Sequence, residues 1–164
     1  MKKLLLFVAV VVLSFTTAQS QSLNLGVSAA LPVGDSADGY TFGAQADFSY
    51  LFEINESFHV GPMASLLYYN GDEMDIPGVG TFEVDSALFL PIGGSARFLL
   101  EEFFFGADLG YGIGLSPDGN DGGFFYRPKV GYDFGSLAAI LSYSGVSMDG
   151  GTFSSVNIGV EFGL

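Results

Sequence analysis

The chain has 164 residues, with 18 Asp or Glu against five Lys or Arg, a formal net charge of −13 and a 49% hydrophobic content rich in Phe and Tyr. That acidity excludes nucleic acid as a partner, because phosphate binding needs a basic surface, and so much apolar and aromatic side chain excludes disorder. The absence of cysteine excludes disulfides, thiol chemistry and a lipoprotein anchor, and the length allows one domain.

The first element is a leader. Lys2 and Lys3 precede a continuous apolar run, Leu4 to Leu13, and then the small residues around Thr17-Ala18-Gln19-Ser20. This is the pattern of a secretory signal peptide over residues 1–20, cleaved after Ala18 or Ser20. The run is too short for a helix crossing about 30 Å of hydrocarbon. Its removal leaves Arg97, Arg127 and Lys129 as the only bases against all 18 acids, in a mature domain over residues 21–164.

Eight strand-like segments follow: Leu23–Pro32, Tyr40–Phe52, Ser57–Tyr69, Phe82–Leu100, Phe103–Leu115, Phe124–Phe134, Leu137–Ser144 and Phe153–Phe162. Their mark is alternation. In Phe124–Phe134 the even positions are Phe124, Tyr126, Pro128, Val130, Tyr132 and Phe134, whereas the odd ones hold Phe125, Arg127, Lys129, Gly131 and Asp133. Period two is the period of a β-strand. A soluble barrel turns its oily face inward, but here the second face carries the charges, Gly and Ser that suit a narrow wet interior. The oily face is therefore expected to meet lipid. The expected fold is all-β, an eight-stranded antiparallel up-and-down transmembrane β-barrel. The competing fold, a soluble calyx, would turn Phe58, Val60 and Leu66 inward.

The connections alternate in length. Glu53–Glu56, Glu101-Glu102 and Gly135-Ser136 are tight, whereas Val33–Gly39, Asn70–Thr81, Ser116–Gly123 and Gly145–Thr152 are longer and rich in Gly and Asp. Short periplasmic turns and longer outer loops have this pattern. Along the oily face, aromatics gather at strand ends. Tyr50, Phe52, Phe58, Phe98, Phe103, Tyr132, Phe134 and Phe162 are expected at the periplasmic interface, and Tyr40, Phe42, Tyr68, Phe82, Tyr111, Phe124, Tyr126 and Tyr143 at the outer one.

The lumen face is expected to carry Asn24, Gln45, Asp47, His59, Glu83, Asp85, Arg97, Asp108, Arg127, Lys129, Asp133, Asn157 and Glu161. Eight strands leave room only for side chains, and buried charges need partners. Arg97, Arg127 and Lys129 are thus expected to pair with Asp47, Asp108, Asp133 and Glu161, with Asp108 as the hub. Pro91 and Gly93-Gly94 interrupt the fourth strand, where a bulge is expected that could invert the parity of Glu83 and Asp85 relative to Arg97.

Little of this is catalytic. His59 is the only histidine, and with Ser57 or Ser65 it could in principle serve a serine hydrolase. It falls instead at the periplasmic end and on the lumen face, away from lipid substrates, so an interior structural role is the expectation. No nucleophile elbow, phosphate loop or dinucleotide fingerprint occurs, and no cofactor is expected. Eight acids fall in the outer loops: Asp35, Asp38, Asp72, Glu73, Asp75, Asp118, Asp121 and Asp149. Asp118, Asn120 and Asp121 sit on a Gly-rich turn like a calcium loop, but without the twelve-residue spacing and terminal Glu of one.

The stretch Ala87-Leu88-Phe89-Leu90-Pro91-Ile92 through Arg97-Phe98, with the opening Gly26-Val27 through Leu31-Pro32-Val33-Gly34, resembles the small outer-membrane-protein β-barrel domain family, often labelled porin-family proteins. The resemblance covers the mature chain and implies a place in the Gram-negative outer membrane, reached through the insertion machinery, with no catalytic residue to carry over. The chain ends Glu161-Phe162-Gly163-Leu164, departing from the terminal aromatic of the common assembly signal. The expected function is non-enzymatic: envelope structure or surface binding by a monomer through acidic loops that meet lipopolysaccharide. The alternatives are a narrow cation-preferring pore, since six lumen acids would exceed three bases, and a lipid-modifying enzyme.

Overall fold

The computed structural model describes residues 21–76 and 80–164; the predicted leader lies outside the described residues. Among the described residues ten strands occur in chain order: β1 (Gln21–Val33), β2 (Tyr40–Asn55), β3 (Phe58–Gly71), β4 (Glu73–Ile76), β5 (Gly80–Glu83), β6 (Ala87–Leu100), β7 (Phe103–Ser116), β8 (Gly123–Asp133), β9 (Leu137–Met148) and β10 (Gly151–Gly163). Eight of them close into a barrel in the order β1-β10-β9-β8-β7-β6-β3-β2, while β4 and β5 form a separate two-stranded sheet. All barrel pairings are antiparallel, and β1 closes on β10 from Asn24 opposite Gly163 to Val33 opposite Ser154. Closure leaves no sheet edge, the condition for a β-structure to stand in hydrocarbon.

Alternation decides what each strand shows to each side. Leu25, Val27, Phe48, Leu66, Ile92, Leu109, Leu141 and Ile158 are exposed on the outside, Ile158 at 68%. Gln45, Ser65, Ser95, Arg97, Asp108, Arg127, Lys129 and Asn157 are buried inside. None of the outward positions on the eight barrel strands bears a charge. An apolar band round a closed barrel with a charged interior is a surface built for a bilayer. Phe58 and Leu66 stand outside, at 36% and 42% exposure, so the inward stripe of a soluble calyx is absent.

Four expectations need correction. The fourth predicted segment, Phe82–Leu100, is two elements: Phe82 and Glu83 belong to the β4–β5 hairpin above the barrel, and β6 begins only at Ala87. Glu83 and Asp85 are therefore outer-loop residues and not lumen ones. The expected bulge lies not at Pro91 but at Leu88–Phe89, where the register with β7 slips by one. Pro91 stays opposite Gly112, and Ala87, Phe89, Pro91, Ser95 and Arg97 are all buried, so inward parity runs unbroken along β6. The missing proline N–H shows on the other side, where the register with β3 skips Leu90 and Pro91.

The predicted loop Gly145–Thr152 is mostly strand; only Asp149-Gly150 turns between β9 and β10, with Gly150 at φ 107°. Finally, Tyr40 leaves the predicted outer girdle. A register shift between Tyr40 and Phe42 reverses its face, and its ring meets Phe153 inside the mouth at 4.7 Å. Phe82, also expected in that girdle, is not described at the side-chain level.

The belt makes a depth-dependent prediction. Ile158 sits mid-strand opposite Ala29 and Leu141, whereas Phe162 lies at the periplasmic end. Ile158→Arg should cost roughly 2–4 kcal/mol in denaturant unfolding from phospholipid vesicles, and Phe162→Arg about 1 kcal/mol or less.

Candidate functional site

The interior is filled in layers, each dictated by which residues the register sets side by side. At mid-height Ser95, Asp108 and Arg127 stand opposite one another across β6, β7 and β8. Asp108 is fully buried and takes two cations. Arg127 Nε donates to its Oδ2 at 2.7 Å, and Lys129 Nζ lies 2.9 Å from its Oδ1. Arg127 reaches on across the lumen to Asp47 on β2, at 2.5 Å. Asp47 also accepts from Gln45 at 2.7 Å and from Ser65 at 2.6 Å. Lys129 has room because Gly106 faces it; a Cβ there would meet its Cε at 3.0 Å.

A neutral ladder covers the opposite wall. Asn157 donates to Ser144 at 2.9 Å, Ser155 donates to Asn157 at 3.0 Å, and Ser144 donates to Gln45 at 3.2 Å. Below, towards the periplasm, Arg97 pairs with Glu161 at 2.6 Å and its guanidinium lies 4.0 Å over the Phe104 ring, a cation–π contact. Phe104 packs with Ala138, Ile140 and Leu99.

The outer half of the lumen is filled by apolar side chains, where a polar and charged plug was expected. Met63, Leu67, Tyr69, Phe89, Phe125, Val146 and Phe153 form one cluster. Phe153 is its centre, with ring centroids 4.5 Å from Tyr69 and 5.4 Å from Phe89. Tyr69 ties the cluster to the polar ladder through a 2.8 Å hydrogen bond with Ser155. Sequence reasoning missed this plug although parity carries it: Phe125 shares the face of Arg127, and Phe104 that of Asp108.

Not every predicted lumen residue joins. Asp133 is exposed at the end of β8, and its carboxylate accepts the Gly135 N–H at 2.6 Å, capping the β8–β9 turn. His59 is half-buried opposite Glu53 and Arg97, outside the ion-paired set. With Glu83, Asp85 and Asp133 removed, the lumen carboxylates are Asp47, Asp108 and Glu161, against Arg97, Arg127 and Lys129. The charges balance. The excess of acids behind a cation-preferring pore is gone.

No family model matches the chain, and no curated protein matches it in sequence. Solved structures do. The outer membrane protein Ail of Yersinia pestis, in a phospholipid bilayer nanodisc, superposes with a TM-score of 0.56 at 13% identity, over 88% of this chain and all of that one. The crystal structure of Ail, the attachment invasion locus protein of Yersinia pestis, gives 0.55 at 15% identity, over 88% and 97%. The fold is that of a small outer-membrane β-barrel. Together with the uncharged belt, it gives the chain a surface fit to stand in a bilayer.

Above the plug the outer loops shape the mouth. Gly34–Asp38 is a short 3-10 turn held down by Ser36, whose hydroxyl accepts the Ser154 N–H at 2.8 Å. In the β7–β8 loop, Asn120 spends its amide on the backbone: Nδ2 donates to Ser116 O at 2.9 Å and Oδ1 accepts Gly122 N–H at 3.1 Å. Of the three candidate cation ligands, Asn120 is thus committed to holding the turn, while Asp118 and Asp121 are exposed. Among the described residues no three acidic, His or Cys side chains converge as a metal site.

Removing one member of a buried pair strands the other, at a cost of roughly 3–5 kcal/mol. Asp108→Ala would leave Lys129 only Ser95, 3.4 Å away, and Arg127 only Asp47. Its thermal midpoint in detergent should fall clearly, whereas Asp118→Ala, in an exposed loop, should leave it nearly unchanged.

Proposed function

We propose that this chain is a non-enzymatic, non-conducting outer-membrane barrel that acts at the cell surface through its acidic outer loops. The observation that carries this reading is the filled lumen. Leu67, Tyr69, Phe89, Phe125 and Val146 are each no more than 1% exposed, and below them lie paired charges and the Arg97–Phe104 contact. An ion crossing the aromatic layer would lose its hydration with only the Tyr69–Ser155 hydroxyl pair to replace it. What the chain can offer a partner therefore lies at its ends, above all in the outer carboxylates. There it would share divalent cations with lipopolysaccharide phosphates. A barrel without an open edge needs no second copy to be complete, so it would act as a monomer after delivery by the insertion machinery.

The enzymatic alternative is poorly served by the geometry. Ser65 donates to Asp47 at 2.6 Å and stands six residues along β3 from His59, about 20 Å away at the rise of a strand. Ser57 lies in the periplasmic turn, with its N–H donating to Asn55 Oδ1 at 3.0 Å. Lipid A from cells carrying His59→Ala should have an unchanged profile; altered acylation would reopen the enzyme reading. The direct test is conductance. Purified protein in planar bilayers should give no steady unitary current at either polarity, and persistent cation-selective openings would overturn the proposal.

A further inference from the structure

We infer that the cavity at the outer mouth is a binding site for a small organic cation, an ammonium or guanidinium group carried on an apolar body. The inference rests on the surface-binding reading above and names its ligand class. The cavity, of about 660 Å³, opens between the β7–β8 loop and the β9–β10 turn; Tyr40, Phe89 and Phe153 lie at its base and Asp118, Asp121 and Asp149 at its rim. That volume falls within the range of small-molecule sites, about 300–1,000 Å³.

The sign of the ligand follows from where the bases are. The lining holds three carboxylates and no Lys or Arg. Arg97, Arg127 and Lys129 are all engaged in interior ion pairs, and outside the leader the sequence has no other base. A cation that pairs with the rim therefore comes from outside the chain. The base of the cavity adds the second requirement. Aromatic faces attract cations through their quadrupole and also reward apolar contact, so a charged head with an apolar body answers both features. Size supplies the third. The described carboxylates do not converge on one point as a metal site, so a bare divalent ion would answer only part of the rim, whereas an extended cation can reach from rim to base. The loop is already shaped for this, because Asn120 fixes it from within.

The test uses the full mature chain in phosphatidylcholine nanodiscs and isothermal titration calorimetry with phenethylammonium, empty nanodiscs correcting for partition. Saturable binding of one equivalent is expected. Neutral phenylethanol, which lacks the charge, should not bind, and methylammonium, which lacks the apolar body, should not compete. Asp121→Asn and Asp149→Asn should each weaken binding by about two- to fivefold, the scale of an exposed ion pair. Asp35→Asn, an equal change of net charge outside the cavity, should leave it unchanged. Folding of each variant is checked by heat-modifiable gel migration, and the three-probe comparison needs no variant at all. Four results would overturn the inference: no saturable binding above empty nanodiscs, equal losses from Asp35→Asn, tighter binding of calcium that displaces the amine, or binding of a basic peptide without the amine. A null result beside silent bilayer recordings removes the amine site and leaves the closed barrel standing; steady currents would remove the closed barrel itself.

Discussion

A charge buried away from water inside a filled barrel needs an opposite charge within reach, and Asp108 is where this chain meets that condition. It holds Arg127 and Lys129 from one fully buried carboxylate, and Arg127 carries the link across the lumen to Asp47. The contact ties β7 and β8 to β2 through the interior, in addition to the hydrogen-bonded ladders round the wall. Such a core contributes little net stability over a well-packed apolar one, but it penalises any register that separates the partners. A slip of one residue between β7 and β8 would send Arg127 and Lys129 to lipid.

The rest of the interior accommodates that choice. Long charged side chains need space, and glycines on the facing strands leave it: Gly106 beside Lys129, and Gly26 beside Asp47, where a Cβ would stand 3.3 Å from the carboxylate. Where the charges stop, apolar side chains take over. Phe153 gathers the outer cluster, and Phe104 closes the lower one beneath Arg97. With the lumen filled, unpaired chemistry moves to the mouth, which is lined by carboxylates and aromatics and lacks any base. Interior pairing and surface acidity are thus two sides of one distribution: every Arg and Lys among the described residues lies inside, so the described loops are left acidic.

Much of this was legible in the sequence because a strand has a fixed period and a bilayer tolerates no charge on one of its faces. Segments such as Phe103–Leu115 and Phe124–Phe134 declared both strand and orientation, and the small set of bases made the pairing with Asp108 and Asp47 readable. What was not legible depended on local slips and on depth. One extra residue near Thr41 turns Tyr40 inward, and no pattern of types announces it. The run from Phe82 to Leu100 alternates almost continuously, so the break at Val84–Ser86 and the separate β4–β5 hairpin are invisible to periodicity. Asp133 has the parity of the lumen but lies at a strand end, where a turn N–H is nearer than any cation. The outer plug is carried by Tyr69, Phe89, Phe125 and Phe153, which share the inward parity of the charged residues.

The central claim is the assignment of faces, and spin labelling addresses it directly because the chain has no native cysteine. Single cysteines from Val156 to Phe162 on β10, spin-labelled in phospholipid bilayers, should give a period of two. Positions 156, 158, 160 and 162 should be open to oxygen and, for those in the middle of the strand, closed to a polar nickel chelate. Positions 157 and 161 should be closed to both; Gly159 is left out of the series, because a Cβ there would stand 2.2 Å from the Val27 carbonyl oxygen. Oxygen accessibility peaking at 157 and 161, or no alternation at all, would contradict the account.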